Sequence, residues 1–204
     1  MLNSCYLIME VIKHSNFIWQ YLNVADTDSI LQTCLEVSHN DPKINPRKQS
    51  FFVKNSSYDI TQLSQSHYSP KSKGKLLKVT SDLNKIYFDI WERYTNDNSL
   101  FSHTLIATCP EKIGTRFHFR NYETDEEYKW HVDLHGKFKF FLSAIFYLND
   151  SFMGGETEFL NDNISVKPIK NSILVFPCGP YFIHKSIPVN EGTKNIIWSC
   201  FDYE

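Results

Sequence analysis

Cysteine is scarce and unpatterned in this chain: there are five among 204 residues, at Cys5, Cys34, Cys109, Cys178 and Cys200. Their number is odd, their spacing wide, and no Cys-x-x-Cys occurs. That removes the common zinc and dithiol motifs and fits a reducing, cytoplasmic compartment. Long apolar runs are missing too. No stretch reaches the length needed to cross a bilayer, and the apolar segment 5–9 is too short for a signal-peptide core and has no basic leader. A soluble protein without a membrane partner is expected. Nor does one charge dominate: 21 Lys and Arg face 23 Asp and Glu, for a net charge of −2 and a pI near 6.4. Such a balance argues against wholesale nucleic-acid binding. No internal repeat is visible. What the chain does have is 42% hydrophobic and 15% aromatic residues, a globular composition in a length that allows one domain over 1–204 with a sizeable core.

Residues 1–98 read as helical support and loops. A short apolar segment at 18–22 precedes Asp26-Thr-Asp-Ser, which can cap a helix to about Val37 with Ile30, Leu31, Cys34 and Leu35 facing inward. Residues 39–73 hold Pro42, Pro46 and Pro70 among many Ser, Asn and Lys, which suggests exposed loops with one short strand at 50–53. Leu76, Val79, Leu83, Ile86, Tyr87, Ile90, Trp91 and Tyr94 recur at helical spacing and predict a long amphipathic helix packed on a sheet. The basic run Lys71, Lys73, Lys75 and Lys78 near its start is a solvated face.

Residues 99–204 change to strand-like patterning, at 103–108, 115–121, 129–134, 138–148, 156–160, 172–176, 181–187 and 194–202. Turn residues such as Gly136, Gly154-Gly155, Gly179-Pro180 and Gly192 punctuate them. The predicted architecture is mostly β: a double-stranded β-helix (jelly-roll, cupin-like) core at 99–204, buttressed by N-terminal α-helices.

One constellation in this core carries chemistry. His131 and Asp133 lie two residues apart, and in a strand such residues point to the same face. His184, in the later segment Phe-Ile-His-Lys-Ser, would come from a neighbouring strand. Two imidazoles and one carboxylate on one side of a metal leave three positions open, which suits a non-haem Fe(II) centre. His135 shares the alternation and is a competing third ligand, although Gly136 suggests that the strand ends before it. His103 and His118 have no matching partner, and structural roles lead for both. Lys194, ten residues past His184, can offer charge-assisted hydrogen bonds to the far end of a dicarboxylic co-substrate, or lie solvated at a strand edge. The acidic run Glu123, Asp125, Glu126 and Glu127 could favour a basic peptide, with surface solvation as the plainer explanation.

His131-x-Asp133, Tyr147-Leu-Asn-Asp150, Gly154-Gly-Glu-Thr-Glu-Phe159, His184 and Pro188-Val-Asn-Glu-Gly-Thr-Lys194 follow one another in an order that resembles the 2-oxoglutarate- and Fe(II)-dependent dioxygenases, in their prolyl 4-hydroxylase-like branch. The likeness runs from about Thr115 to the C-terminus. It implies His131, Asp133 and His184 as catalytic iron ligands and Lys194 as partner of the distal 2-oxoglutarate carboxylate. Tyr128 is implied as a lining of the co-substrate pocket, with an aromatic wall as its plainer role. Trp198 is implied near the substrate cavity, with core filling as the alternative.

The implied co-substrates are 2-oxoglutarate and O₂, with room for ascorbate, and the implied reaction couples decarboxylation to succinate with hydroxylation of a C–H bond. A prolyl residue in a peptide is the favoured substrate, ahead of a free amino acid or other small molecule. Two departures bear on the pocket. The run from Lys137 to Phe146 replaces an Arg-led, hydroxyl-containing segment, and the segment after Asp133 is brief. Competing classes are a binding protein that kept the fold, a zinc hydrolase, and a nucleic-acid dealkylating dioxygenase; the last is disfavoured by Lys rather than Arg at 194 and by the charge balance.

Overall fold

The computed structural model describes residues 9–40, 52–53, 56–59, 70–99, 117–133 and 140–202. Two helices and fourteen strands follow in chain order among them. The first half supplies β1 (Glu10–Lys13), β2 (Trp19–Leu22), α1 (Asp28–Asn40), β3 (Phe52–Val53), β4 (Ser56–Asp59) and α2 (Pro70–Asp97). The second supplies β5 (His118–Tyr122), β6 (Glu127–His131), β7 (Phe140–Tyr147), β8 (Phe152–Gly154), β9 (Thr157–Phe159), β10 (Ile164–Val166), β11 (Ser172–Pro177), β12 (His184–Ser186), β13 (Val189–Gly192) and β14 (Lys194–Asp202). A seven-stranded sheet runs β1-β2-β11-β7-β14-β5-β4, a five-stranded sheet β10-β9-β12-β6-β3, and β13 pairs with β8. All the pairings are antiparallel. The jelly-roll expectation is met, and the apolar segment at 18–22 is β2 of the main sheet. The strand expected at 103–108 lies outside the described residues.

α1 starts where its cap residues direct. Thr27 O accepts from Leu31 N at 2.8 Å, and Asp26 Oδ1 accepts from Asp28 N at 3.0 Å. Ile30, Cys34 and Val37 are buried. Leu35, expected inward, is 40% exposed. At roughly 100° per residue it stands about 140° around the helix from Ile30, whereas Cys34 and Val37 fall close to Ile30. α2 follows its periodicity more closely, burying Leu76, Val79, Leu83, Tyr87, Ile90, Trp91 and Tyr94, with Ile86 at the edge of the same core. Tyr87 Oη donates to Ile197 O at 3.1 Å, and the Trp91 and Phe201 rings stand 5.2 Å apart, so α2 is fastened to β14.

The seven-stranded sheet therefore has two faces. Leu142, Ala144 and Phe146 of β7 and Ile197 and Phe201 of β14 pack with the helices. The alternate residues Ile145, Tyr147 and Ile196 join Tyr128, Phe159 and Phe176 in a second core between the sheets. Because side chains alternate with period two, a one-residue slip in β7 or β14 would exchange these sets. Register places Ile196 opposite Tyr147 on one side and opposite Arg120 on the other. The inner face thus presents Arg120 and Tyr122, Lys194 and Trp198, and Ser143 and Ile145 on three adjacent strands.

Gly154 and Gly155 turn the chain between β8 and β9 with φ of +76° and +70°. A Cβ on Gly154 would run into the Pro188 carbonyl oxygen, and one on Gly155 would meet Lys194 Cδ at 3.1 Å. Gly154→Ala should therefore cost at least ~2 kcal/mol, from the left-handed backbone alone and then the clash. Gly179→Ala, where a Cβ meets nothing within 4 Å, should stay within about 0.5 kcal/mol of the parent. Urea unfolding checks the pair; equal midpoints for the two variants would contradict the strain argument.

Candidate metal centre

His131 ends β6 and His184 begins β12, and the two are directly opposed in the antiparallel register. Between that pair and the next, Ser186 opposite Tyr128, the register shifts, so two residues of β6, Lys129 and Trp130, lie against one of β12, Lys185. This bulge breaks the alternation and turns both Tyr128 and His131 toward the inner cleft. Their rings meet edge-on at 4.0 Å. Asp133 was expected in the same strand as His131, but β6 ends at His131 and Asp133 sits in the bend beyond it. There it still reaches both imidazoles. Its Oδ1 is 3.3 Å from His131 Nε2, and its Oδ2 is 3.5 Å from His184 Nε2. One ligand atom from each of the three residues falls within 4.8 Å of the others. The competing ligand His135, and likewise His103, lie outside the described residues.

Each imidazole is oriented by its other nitrogen. His131 Nδ1 lies 2.8 Å from Lys129 O, and His184 Nδ1 lies 3.0 Å from Phe182 O. A carbonyl only accepts, so both Nδ1 atoms carry the proton, and in the neutral rings both Nε2 atoms present lone pairs to the cleft. Burial pushes His184 down to about 4, outweighing the attraction of Asp133, which leaves it neutral at pH 7. Burial acts against the Asp133 carboxylate, yet attraction to His184 and His131, which acts while those rings are protonated, and a hydrogen bond from Ser143 hold it well below the ordinary range. Ser143 Oγ donates to Asp133 Oδ2 at 2.5 Å, and Trp198 Nε1 does so at 3.1 Å. Two imidazole lone pairs and an ionised carboxylate pointing at one another repel unless a cation lies among them. Mixed N and O donors, polarised from behind by carbonyls and hydrogen-bonded on the carboxylate, fit a divalent transition metal with open positions.

Beside these donors opens a small cleft lined by Arg120, Tyr122, Ile145, Ser186 and Ile196 among others. Lys194, only 1% exposed, donates from Nζ to Gly155 O at 2.6 Å and to Ser186 Oγ at 2.8 Å. It is no solvated strand-edge residue. Burial pushes it down to about 7, with Glu156 acting in the opposite direction. Tyr128 and Trp198 line the same cleft. The aromatic rings beneath Lys194 Nζ, however, are those of Tyr122 and Tyr147, at 5.1 and 5.8 Å. Trp198 does more than fill space, since it holds Asp133. His118 packs its ring on Trp198 at 5.2 Å, a structural role. Of the acidic run, Glu126 is buried and accepts from Glu123 N at 2.7 Å, closing the β5–β6 turn.

Sequence reasoning missed Ser143, which looks like one small residue in an apolar run. The alternation of β7 and β14 is the signal that could have found Ser143, because it puts 143 on the same face as Ile145 and Trp198. Ser143→Ala should weaken metal binding roughly 10- to 100-fold while leaving the fold intact, whereas His184→Ala should abolish most of it. Metal titration of the apo protein checks both; undiminished affinity in His184→Ala would dismiss this site.

Comparison with known proteins agrees with this geometry. Residues 117–201 match the 2OG-Fe(II) oxygenase superfamily, a segment that contains every side chain described in the cleft. Among curated proteins no significant match is found. A prolyl 4-hydroxylase from Pseudomonas putida shares the fold at 17% identity and a TM-score of 0.59, over 92% of each chain. A viral collagen prolyl hydroxylase from Paramecium Bursaria Chlorella virus-1, solved with 2OG, matches at 14% identity and a TM-score of 0.58, over 92% of this chain and 97% of its own. A prolyl hydroxylase from Trichoplax adhaerens, solved with a hypoxia inducible factor oxygen degradation domain peptide fragment, matches at 14% identity and a TM-score of 0.65, over 92% of this chain and 84% of its own. Residues 117–201 thus resemble the 2OG-Fe(II) oxygenase superfamily, and the fold built around them is shared with prolyl 4-hydroxylases.

Proposed function

We propose that this 2-oxoglutarate-dependent dioxygenase hydroxylates a prolyl residue of a peptide or protein. In this reading His131, Asp133 and His184 hold Fe(II), and Lys194 binds the distal carboxylate of 2-oxoglutarate. The observation that carries the reading is the meeting of two Nε2 lone pairs and one carboxylate beside a buried lysine. With iron and 2-oxoglutarate bound, the centre supplies O₂-dependent decarboxylation to succinate coupled to hydroxylation of a substrate C–H bond.

The protein's own residues set the conditions for that chemistry. Lys129 O and Phe182 O fix the two imidazole rings. Ser143 and Trp198 keep Asp133 ionised and in place. Gly155 O and Ser186 Oγ aim the Lys194 ammonium into the cleft. Tyr128 forms the aromatic wall between His131 and the co-substrate, and Trp198 borders the substrate side. Burial of these groups excludes water and strengthens each charge–charge contact. The prolyl substrate is supported by the prolyl hydroxylases that share the fold, one of them solved with a peptide.

Incubating the iron-loaded protein with 2-oxoglutarate, O₂ and a diverse panel of proline peptides and free amino acids should yield a peptide product carrying one added oxygen on proline, read by mass spectrometry. Hydroxylation of a free amino acid with none on any peptide would replace the peptide substrate by a small molecule.

A pH dependence follows from Lys194. In the free cleft it titrates at about 7, and a bound carboxylate raises that value. Below about pH 7 the lysine is already charged and binding is independent of its proton; above, each binding event must take up a proton. The affinity for 2-oxoglutarate should therefore fall by up to about tenfold per pH unit as pH rises from ~7 toward the bound-state value. Calorimetry in buffers of different ionisation enthalpy should register uptake of a proton near pH 8. No uptake, with a flat affinity profile that persists in Lys194→Met, would remove Lys194 from the site.

A further inference from the structure

β7 ends at Tyr147, opposite Ile196, whereas β14 begins two residues earlier, at Lys194. The first residues of β14 therefore have no strand of β7 beside them, although backbone donors and acceptors in the interior need partners. One further backbone bond, from Leu148 N to Asn195 O at 3.0 Å, extends the ladder. Beyond it a side chain takes over. Asn149 Nδ2 donates to Thr193 O at 2.7 Å, and Asn149 Oδ1 accepts from Asn195 N at 2.8 Å. A carboxamide can do both because it carries a donor and an acceptor side by side.

These two bonds fall on the two peptide groups that flank Lys194 Cα. Thr193 O belongs to the peptide joining 193 to 194, and Asn195 N to the one joining 194 to 195. Holding both restrains φ and ψ of Lys194, and with them the direction of its Cα–Cβ bond. On the other flank Lys194 pairs with Tyr122 of β5. The stem then passes Gly155, where an added Cβ would meet Lys194 Cδ at 3.1 Å, and Nζ ends on Gly155 O and Ser186 Oγ. A small rotation at Cα is magnified along the four methylenes, so it displaces the ammonium most. Asn149 itself is half-buried and is neither one of the metal donors nor part of the cleft lining.

Resting on the 2-oxoglutarate reading above, we propose that Asn149 is a positioning residue: by clamping the peptide groups on both sides of Lys194, it sets where the ammonium stands and so how well the site selects a dicarboxylic co-substrate. A merely structural asparagine, bracing the corner after β7, would not distinguish a ligand that reaches Lys194 from one that does not. Asn121 provides the contrast. Its Nδ2 donates to Asn195 Oδ1 at 2.9 Å, so it holds a neighbouring side chain and neither peptide group of Lys194.

The test uses the full chain loaded with Mn(II), which avoids turnover, and calorimetric titration with 2-oxoglutarate and with 2-oxopentanoate, which lacks the distal carboxylate. Asn149→Ala should weaken 2-oxoglutarate roughly three- to tenfold, leave 2-oxopentanoate unchanged and bind Mn(II) like the parent. Asn149→Asp keeps the acceptor for Asn195 N but sets a carboxylate oxygen against Thr193 O. It should show the same selective loss, and it is the measured variant if Asn149→Ala does not fold. Asn121→Ala should bind both ligands like the parent. Undiminished 2-oxoglutarate affinity in the Asn149 variants would overturn the proposal. So would an equal loss for both ligands, or a selective loss of the same size in Asn121→Ala, since either would make Asn149 a corner brace only. A Lys194→Met variant that binds 2-oxoglutarate like the parent would instead remove the reading on which the proposal rests.

Discussion

Two imidazole lone pairs and a carboxylate held within 4.8 Å of one another repel, and the cleft persists because the surrounding backbone leaves these groups no alternative orientation. Both Nδ1–H groups are spent on carbonyls two residues upstream, so neither ring can flip without losing a hydrogen bond. The carboxylate is held by hydrogen bonds from Ser143 and Trp198 to its Oδ2. Those two residues come from β7 and β14 in the large sheet, while both histidines come from the small one. The centre is therefore a contact between two sheets, and whatever fixes their separation fixes the metal geometry.

That separation is set by the packing on either side. Tyr128, Phe159, Phe176 and Ile145 fill the space between the sheets, and α1 and α2 cover the outer face of the large one. Tyr87 and Trp91 of α2 lean on β14, the strand that also carries Lys194 and Trp198. A helix remote from the chemistry thus steadies the strand that presents a cation and an indole to the cleft. Gly154 and Gly155 play the complementary part, since their missing Cβ atoms allow the chain to close over Pro188 and the Lys194 stem.

Much of this was legible in the sequence, for reasons that differ by residue. His131-x-Asp133, His184 and Lys194 were legible because their chemistry and spacing are local, and α2 because a long apolar period is hard to mistake. The β6 bulge was not, because it depends on where β12 pairs rather than on anything in Glu127–His131. Asp133 consequently reaches the site from a bend and not from the strand expected to carry it. Short elements such as β1, β8, β10 and β13 were missed because pairing partners, rather than intrinsic preference, make them strands. Leu35 was misplaced because apolar character was followed without its angular position on α1. Ser143 acquires meaning only when β7 and β14 lie side by side.

The central claim is that a single metal ion sits among these three side chains. A crystal of the iron-loaded protein, with anomalous diffraction measured at the iron edge, tests it most directly. One strong anomalous peak is expected, bonded to Nε2 of His131, Nε2 of His184 and a carboxylate oxygen of Asp133, with both Nδ1 atoms still turned to Lys129 O and Phe182 O. A peak ligated by His135 in place of His184, or no peak between the two sheets, would contradict it.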